Sequence, residues 1–147
     1  MSKAQVKNEA HVPVLLNEVI EYLRLTPGKR IIDATLDGGG HTKGILERLP
    51  YVSILGIEWD PAEFEEFRSQ NPELSKKIIL VNDTYANLEN IVDAYEYVPD
   101  GIVFDLGLSS WHYEASGWVF SFQKEEPLVM RLNPRNGQLT AAEIINT

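Results

Sequence analysis

The chain has 147 residues, which is enough for about one domain with a buried core. Hydrophobic residues make up 44% and charged residues 24%, proportions that exclude a disordered or fibrous protein. The net charge of −9 argues against a broad nucleic-acid-binding face, while a local basic patch stays open.

The N-terminal stretch "MSKAQVKNEA" lacks the apolar core of a signal peptide, and we expect a flexible segment over 1–10. No apolar run approaches the roughly 20 residues of a membrane span. The chain has no cysteine, so disulfides and thiolate chemistry are excluded. We therefore expect a cytoplasmic protein that does not associate with membranes.

Helical and strand patterns alternate along the first half of the chain. "HVPVLLNEVIEYLRL" has apolar residues near helical spacing and "TPG" ends it, so it predicts a helix. "KRIIDATL" is a short β-branched run that predicts the first strand. The segment from His41 to Leu49 predicts the next helix, and "VSILGIEW" predicts the second strand.

The same alternation continues to about residue 108. Asp60 and Pro61 suit the N-cap and first position of a helix that runs to about Gln70. "KIILVND" predicts a third strand, residues 85–98 a further helix, and "DGIVFDLGL" a fourth strand. Nearly apolar strands separated by helices indicate an α/β fold with a parallel sheet covered on both faces.

Acidic residues follow each predicted strand, at the edge where open α/β sheets bind ligands. These residues are Asp33 and Asp37, Glu58, Asp83 and Asp105. Each acid alone could instead cap a helix or solvate a loop. Their recurrence at one edge favours a ligand site.

The first strand leads into "DATLDGGGH", and Glu58 lies 20 positions after Gly38, the distance of an acid that binds ribose hydroxyls. A dinucleotide site would need a third glycine where the chain has Lys43. S-adenosylmethionine has no phosphate, and its sulfonium and ammonium groups suit an acidic loop. Charge therefore favours S-adenosylmethionine as the cofactor.

Several motifs resemble one family in their order and spacing. They are "HVPVLLNEVIEYL", "DATLDGGGHT", "GIVFDLGLSS", "FSF", "PLVMRLNP" and "TAAEIINT". The chain resembles the MraW/RsmH family from His11 onward. This resemblance implies a Rossmann-like class I S-adenosylmethionine-dependent methyltransferase fold and methylation of N4 of a cytidine in 16S rRNA. The implied partner is 16S rRNA or the small ribosomal subunit.

The resemblance also assigns roles to individual residues. The implied donor contacts are Gly39, Gly40, His41, Glu58, Tyr85, Asp105 and His112. Glu58 stands where the family usually has Asp, and His112 where it typically has Gln. Tyr85 would lie against adenine, while His41 could instead cap a helix or pack.

Catalysis would be a direct displacement at the sulfonium methyl, in which alignment and an acceptor near the amine matter most. Asp105 is the first candidate for that acceptor; Ser109 and Ser110 come second, with loop capping as an equal alternative. No metal is expected, because the three histidines, at 11, 41 and 112, lack metal-ligand spacing.

Aromatic residues follow the fourth strand and could stack on a base, although the favoured interpretation is that Phe120 and Phe122 anchor the loop to the core. They are Trp111, Tyr113, Trp118, Phe120 and Phe122. Trp118 and Val119 replace the family's Arg-Gly, and Val129 replaces an Asp. These departures affect substrate handling more than donor binding.

Family members are considerably longer than this chain. The resemblance therefore implies a cofactor-binding α/β domain at 11–107, followed at 108–147 by a substrate-side loop and an incomplete helical insertion. Thr140 and Glu143 have capping-box spacing and predict a helix, too short to persist alone.

Two functions stay open. The chain could be the N-terminal half of an RNA methyltransferase that is active only with a missing C-terminal half. It could instead be a non-catalytic remnant that binds a nucleoside ligand or a protein partner, including a second copy, through an open sheet edge. A dehydrogenase is a distant third, disfavoured by Lys43.

Overall fold

The computed structural model describes residues 13–108, 120, 125–133 and 137–147. One sheet contains four parallel strands: β1 Arg30–Asp33, β2 Ser53–Glu58, β3 Ile79–Asn82 and β4 Gly101–Val103. Their order is β3-β2-β1-β4, which is the order in which Rossmann-type sheets begin. The predicted parallel α/β architecture is confirmed.

Helices connect these strands and flank the sheet. They are α1 Leu16–Leu23, α2 Gly40–Arg48, α3 Pro61–Gln70, α4 Pro72–Ser75, a 3₁₀ turn Tyr85–Asn87, α5 Leu88–Ala94 and α6 Ala141–Ile145. Within the described ranges, none is long and apolar enough to cross a membrane. The segment 1–10 lies outside the described residues.

The central strand β1 is buried on both sides, and its two isoleucines point to opposite faces. Ile31 and Ile32 are each 0% exposed. Ile31 packs in a cluster that includes Ile45 of α2 and Phe67 of α3, whereas Ile32 packs in one that includes Ile91 of α5. Coverage on both faces explains why the strands are almost entirely apolar.

The predicted helix over residues 85–98 is shorter in the structure than its apolar pattern suggested. It begins as the 3₁₀ turn, continues as α5 and ends at Ala94. Glu96 has a left-handed backbone with φ of 47°, and the Tyr97 N–H donates to the Val92 carbonyl at 2.9 Å. This is a Schellman-type ending, in which the backbone reverses and directs the following residue inward.

Tyr97 is the residue that this reversal places in the core, where it is 1% exposed. Its hydroxyl lies 2.8 Å from the Ser53 carbonyl and 3.1 Å from the Ile31 carbonyl, so it bridges β2 and β1. The Arg30 guanidinium lies 4.1 Å from the centre of its ring. Tyr97 thus packs in the core at the point where the predicted helix would have had its last turn.

Two predicted helix starts are confirmed by their hydrogen bonds. The Asp60 side chain accepts the Ala62 N–H at 2.7 Å, with Pro61 at the first helical position of α3. Thr140 and Glu143 form a reciprocal capping box at the start of α6.

The short helix α6 is attached to an upstream segment. The Ala141 N–H donates to the Val129 carbonyl at 3.1 Å, and the Ala142 N–H donates to the Leu128 carbonyl at 3.0 Å. The first turn of α6 therefore gains backbone bonds that a free helix of five residues would lack.

We expect Tyr97→Phe to lower the free energy of unfolding by about 1–2 kcal/mol, because it leaves the ring in place and removes a buried hydroxyl bridge. Chemical denaturation would measure this. Tyr95→Phe is the matched control, because Tyr95 is 46% exposed and should change stability little. Equal effects of the two changes would contradict a structural role for the bridge.

Candidate functional site

The loop that follows β1 bends sharply at the carboxyl edge of the sheet. The Ala34 N–H donates to the Val103 carbonyl of β4, and the Leu36 N–H donates to the Ile57 carbonyl of β2, each at 2.9 Å. Asp37 and Gly39 then adopt left-handed backbones, with φ of 45° and 73°. The loop thus leaves the sheet between β2 and β4, the two neighbours of β1, and leads into α2.

The three glycines of this loop meet different surroundings. A Cβ on Gly39 would overlap the Phe67 ring, and one on Gly40 would lie 3.2 Å from Pro13. A Cβ on Gly38 would meet nothing within 4 Å, and this residue is exposed. Packing therefore explains the need for glycine at position 39, while Gly38 is the glycine that faces open space. Donor contacts at Gly39 and Gly40 stay predictions.

Glu58 ends β2 with its side chain buried at 5% exposure. One carboxyl oxygen, Oε2, accepts the Asp37 N–H at 2.9 Å, and the other, Oε1, accepts the Asp60 N–H at 2.8 Å. Asn82 on β3 donates from its side-chain amide to the Glu58 backbone carbonyl at 2.7 Å. The carboxyl group therefore joins the loop after β1 to the turn that begins α3.

Burial, together with the negative charges of Glu63 and Asp37, raises the pKa of Glu58 to about 8. The two backbone N–H groups that donate to Glu58 act in the opposite direction, because they favour the carboxylate. Desolvation and like charge outweigh them. Glu58 is therefore largely protonated near neutral pH.

Glu63 was not singled out by sequence reasoning, and it belongs to this acidic group. Carboxylate oxygens of Asp37, Glu58 and Glu63 all lie within 4.8 Å of one another, and Glu63 is 6% exposed. The D-x-x-E spacing of Asp60 and Glu63 would suggest an ordinary capping box instead. Three acids this close could also attract a cation, whereas the sequence predicted no metal.

Asp33 ends β1 and is buried beneath the same edge, at 1% exposure. The Thr42 hydroxyl of α2 donates to its Oδ2 at 2.7 Å. Burial raises the pKa of Asp33 to about 6, although that bond and the nearby His41 favour the charged form. Asp33 therefore fixes the first turn of α2 to the end of β1, beneath the loop.

His41 and Asp105 come together across the ends of α2 and β4. His41 Nε2 lies 2.9 Å from the Val14 carbonyl, to which it donates, and Nδ1 lies 3.6 Å from Asp105 Oδ2. The Asp105 N–H donates to the Thr35 hydroxyl at 2.7 Å. The Asp105 side chain is 40% exposed, whereas that of His41 is 7% exposed. Asp105 is thus held beside the loop and open to solvent, and His41 packs against the segment before α1.

Tyr85 pairs with a residue that sequence reasoning did not select. Its ring meets the Phe104 ring edge to face, with centroids 5.7 Å apart. The two rings are 44% and 46% exposed, and they follow β3 and β4. In the sequence, Phe104 alternates with Ile102 and Leu106, and this apolar alternation is the pattern that could have selected it. This edge therefore exposes two aromatic side chains that pack against each other.

Several residues singled out in the sequence lie outside the described residues. They are Ser109, Ser110, Trp111, His112, Tyr113, Trp118, Val119 and Phe122. Phe120 is described and half-buried. The predicted residues that the described ranges do bring to one edge are Gly39, Gly40, His41, Glu58, Tyr85 and Asp105.

Comparison with known proteins identifies the family. The model of the MraW methylase family matches residues 8–147. The chain belongs to the MraW methylase family.

Curated relatives of this MraW-family chain carry the name ribosomal RNA small subunit methyltransferase H. The one from Dehalococcoides mccartyi strain BAV1 is 45% identical over 138 residues, covering 92% of the chain and 39% of the relative. The one from Dictyoglomus thermophilum is 46% identical over 140 residues, covering 93% of the chain and 47% of the relative. The chain thus spans less than half the length of these relatives.

Solved structures give a weaker likeness to the MraW-family chain. A crystal structure of a putative rRNA-methylase from Clostridium thermocellum matches 51% of the chain and 43% of its own length, with 15% identity and a TM-score of 0.42. A likeness this distant says nothing about ligand or activity.

We expect Gly39→Ala to destabilise this MraW-family chain by at least ~2 kcal/mol, because the added methyl group would overlap Phe67 and the backbone φ is positive. Gly38→Ala, the matched control, should change stability by less than about 0.5 kcal/mol. Chemical denaturation of both variants would test this. A tolerated alanine at position 39 would contradict the packing described here.

The raised pKa of Glu58 predicts how stability depends on pH. The folded pKa, about 8, exceeds the ordinary 4.5, so between these values the folded chain binds more protons than the unfolded chain. The free energy of unfolding should therefore fall as pH rises, by at most about 1.4 kcal/mol per pH unit from this group. Asp33, with its pKa of about 6, adds to the fall only in the lower part of that window.

Glu58→Gln should remove much of this pH dependence, because glutamine does not ionise. The variant should be less stable than the parent chain near pH 5, because its NH₂ group cannot accept one of the two backbone N–H bonds, and this difference should shrink towards pH 8, as measured by thermal melts across that range. Glu89→Gln, an exposed change on α5, is the control. Parallel pH profiles for Glu58→Gln and the parent would show that the carboxyl group ionises normally.

Proposed function

We propose that this chain forms the donor-binding part of an S-adenosylmethionine-dependent methyltransferase that acts on N4 of a cytidine in 16S rRNA. The observation that supports it most is the buried carboxyl group of Glu58, held between two loops beside the exposed Gly38. An acid at the end of β2 is the position from which Rossmann-type sites accept hydrogen bonds from ribose hydroxyls.

The residues at this edge fit S-adenosylmethionine chemically. Glu58 would accept hydrogen bonds from the two ribose hydroxyls, and the Tyr85–Phe104 pair would contact adenine. The open space at Gly38 leaves the loop backbone accessible to the methionine portion. The cofactor supplies an electrophilic methyl group on a positively charged sulfur, which an acidic edge tolerates well.

The charge of the edge disfavours a dinucleotide. Asp37, Glu58 and Glu63 lie within 4.8 Å of one another, next to the loop that would have to hold a pyrophosphate. Lys43 directs its ammonium group to the Gly38 carbonyl at 2.9 Å. Phosphates would meet negative charge there, whereas a sulfonium and an ammonium group would be attracted.

Asp105 is the proposed acceptor for the attacking amine. Its carboxylate is partly exposed at the end of β4, and its backbone N–H is fixed by the Thr35 hydroxyl. A positioned carboxylate can orient an exocyclic amine and accept its proton as the nitrogen attacks. Ser109 and Ser110 stay secondary candidates for the same role.

The rRNA substrate is proposed from the names of the relatives and from the motifs, and the N4 position from the motifs alone. Because the chain spans less than half the length of those relatives, we propose turnover only for an assembly that includes their remaining sequence. The proposed partners are thus 16S rRNA within the small ribosomal subunit and a polypeptide that supplies that remainder.

A second function, that of a non-catalytic binding protein, is favoured by one feature. Ile102, Phe104 and Leu106 alternate along the end of β4 and are 36%, 46% and 66% exposed. Such an apolar row can pair or pack with another chain. Concentration-dependent sedimentation without any binding of S-adenosylhomocysteine would favour this alternative.

Calorimetric titration of the 147-residue chain with S-adenosylhomocysteine, with NAD as the control ligand, tests the proposed function. We expect saturable binding of the first ligand and none of the second. Gly38→Val should weaken binding tenfold or more while the melting temperature stays nearly unchanged, because its side chain would enter open space. Glu89→Gln is the neutral control. A folded chain that binds neither ligand would contradict a donor site.

A further inference from the structure

His41 is a buried histidine whose two ring nitrogens face different groups. Its Nε2 lies 2.9 Å from the Val14 carbonyl oxygen, and its Nδ1 lies 3.6 Å from Asp105 Oδ2. Because a carbonyl oxygen can only accept a hydrogen bond, Nε2 must carry a proton. In the neutral ring, Nδ1 therefore holds a lone pair that faces a carboxylate.

Packing keeps the ring in this orientation. The segment before α1 lies closely against α2, because a Cβ on Gly44 would overlap the Leu16 side chain. This approach brings the Val14 carbonyl to the His41 ring, whose side chain is only 7% exposed. The tautomer of the neutral ring is thus determined by a backbone contact on the side away from Asp105.

The Asp105 carboxylate is held less firmly than the ring that faces it. Its backbone N–H donates to the Thr35 hydroxyl at 2.7 Å, which fixes the main chain. The side chain is 40% exposed, and within the described ranges its carboxylate accepts no hydrogen bond. The 3.6 Å to His41 Nδ1 exceeds hydrogen-bond length. The carboxylate can therefore turn towards His41 or towards the open edge.

The charged groups around the ring come from separate elements. Burial raises the pKa of Asp33, at the end of β1, and the nearby charges of His41 and Asp105 act on it in opposite directions. The segment before α1 contributes a neutral backbone carbonyl. On α2, the ammonium group of Lys43 donates to the Gly38 carbonyl. Asp105 is thus the charged group that a proton on Nδ1 would meet.

We propose that His41 is a positioning residue that controls the Asp105 carboxylate through the charge of its ring. When His41 is neutral, the Nδ1 lone pair repels the carboxylate, which stays open at the edge to an N–H donor of a ligand. When Nδ1 is protonated, His41 and Asp105 form an ion pair, which withdraws the carboxylate from the ligand. This inference rests on the proposed function, in which Asp105 receives the attacking amine.

Ligand binding and protonation of His41 then compete for one carboxylate. Acidification between about pH 8 and 5, the range in which histidines ordinarily change charge, should weaken the binding of a ligand whose N–H group contacts Asp105. For a single proton, the affinity falls by at most about tenfold per pH unit. Towards the upper end of this range the affinity should level off, because the neutral ring leaves the carboxylate free.

NMR of the full chain without ligand tests the pair directly. Long-range proton–nitrogen spectra should show neutral His41 with its proton on Nε2. The Asp105 carboxyl carbon signal should change together with the His41 nitrogen signals between about pH 5 and 8. His41→Gln should abolish that change, although its amide can still donate to the Val14 carbonyl. A neutral ring with its proton on Nδ1, or the same carbon titration in the variant, would overturn the inference.

Calorimetric titrations identify the ligand group that meets Asp105. S-adenosylhomocysteine carries an ammonium group, and cytidine, added to the chain saturated with it, carries an exocyclic amine. For the ligand that contacts Asp105, the affinity of the parent should fall at least threefold more than that of His41→Gln from about pH 8 to 6. The comparison with the variant is essential, because Glu58 and Asp33 also titrate in this range. Glu89→Gln, an exposed change on α5, should keep the parent's profile.

The results distinguish a failure of this inference from a failure of the proposed function. A flatter profile in His41→Gln with S-adenosylhomocysteine assigns Asp105 to the methionine portion of the donor, and one with cytidine assigns it to the attacking amine. Parallel profiles of parent and variant for every ligand that binds would overturn the inference and leave the donor site intact. Absence of S-adenosylhomocysteine binding at every pH would instead refute the proposed function, and the NMR titration would still decide whether His41 and Asp105 are paired.

Discussion

The carboxyl group of Glu58 holds together the two loops on which the site depends. Through its two oxygens it joins the backbone of Asp37 to that of Asp60, so the turn after β1 and the start of α3 are fixed to one side chain. This connection is made at the buried end of a central strand, where water does not compete for the bonds. The group that shapes the edge is also the one for which we propose a role in ribose recognition.

Much of the fold could be predicted from the sequence because local signals and burial agreed. The apolar runs marked four parallel strands, and Asp60 with Pro61 marked the start of α3. The helix after β3 was predicted too long, because a continuing helical pattern does not reveal that Tyr97 is needed in the core. The packing of Tyr97 in the core thus overrides the helical periodicity of the local sequence.

The site was predicted less completely, for a similar reason. Motifs and predicted strand ends pointed to Glu58 and Asp105, because each of them lies at or just after the end of a strand in the sequence. Glu63 and Phe104 are brought in by packing of α3 and by the end of β4, and their local patterns suggested a helix cap and an ordinary strand residue. The glycines show the reverse: Gly39 stood out in sequence, and packing against Phe67 accounts for it.

The position of β4 also determines how any larger sheet would contribute to this site. In the described part of the chain, β4 pairs with β1 along one side, and its carboxyl end carries Phe104 and Asp105. A further strand added in the parallel sense would bring its own C-terminal residues beside Asp105. One added in the antiparallel sense would bring N-terminal residues instead. Strand direction alone would thus decide which end of an added strand lies beside Asp105.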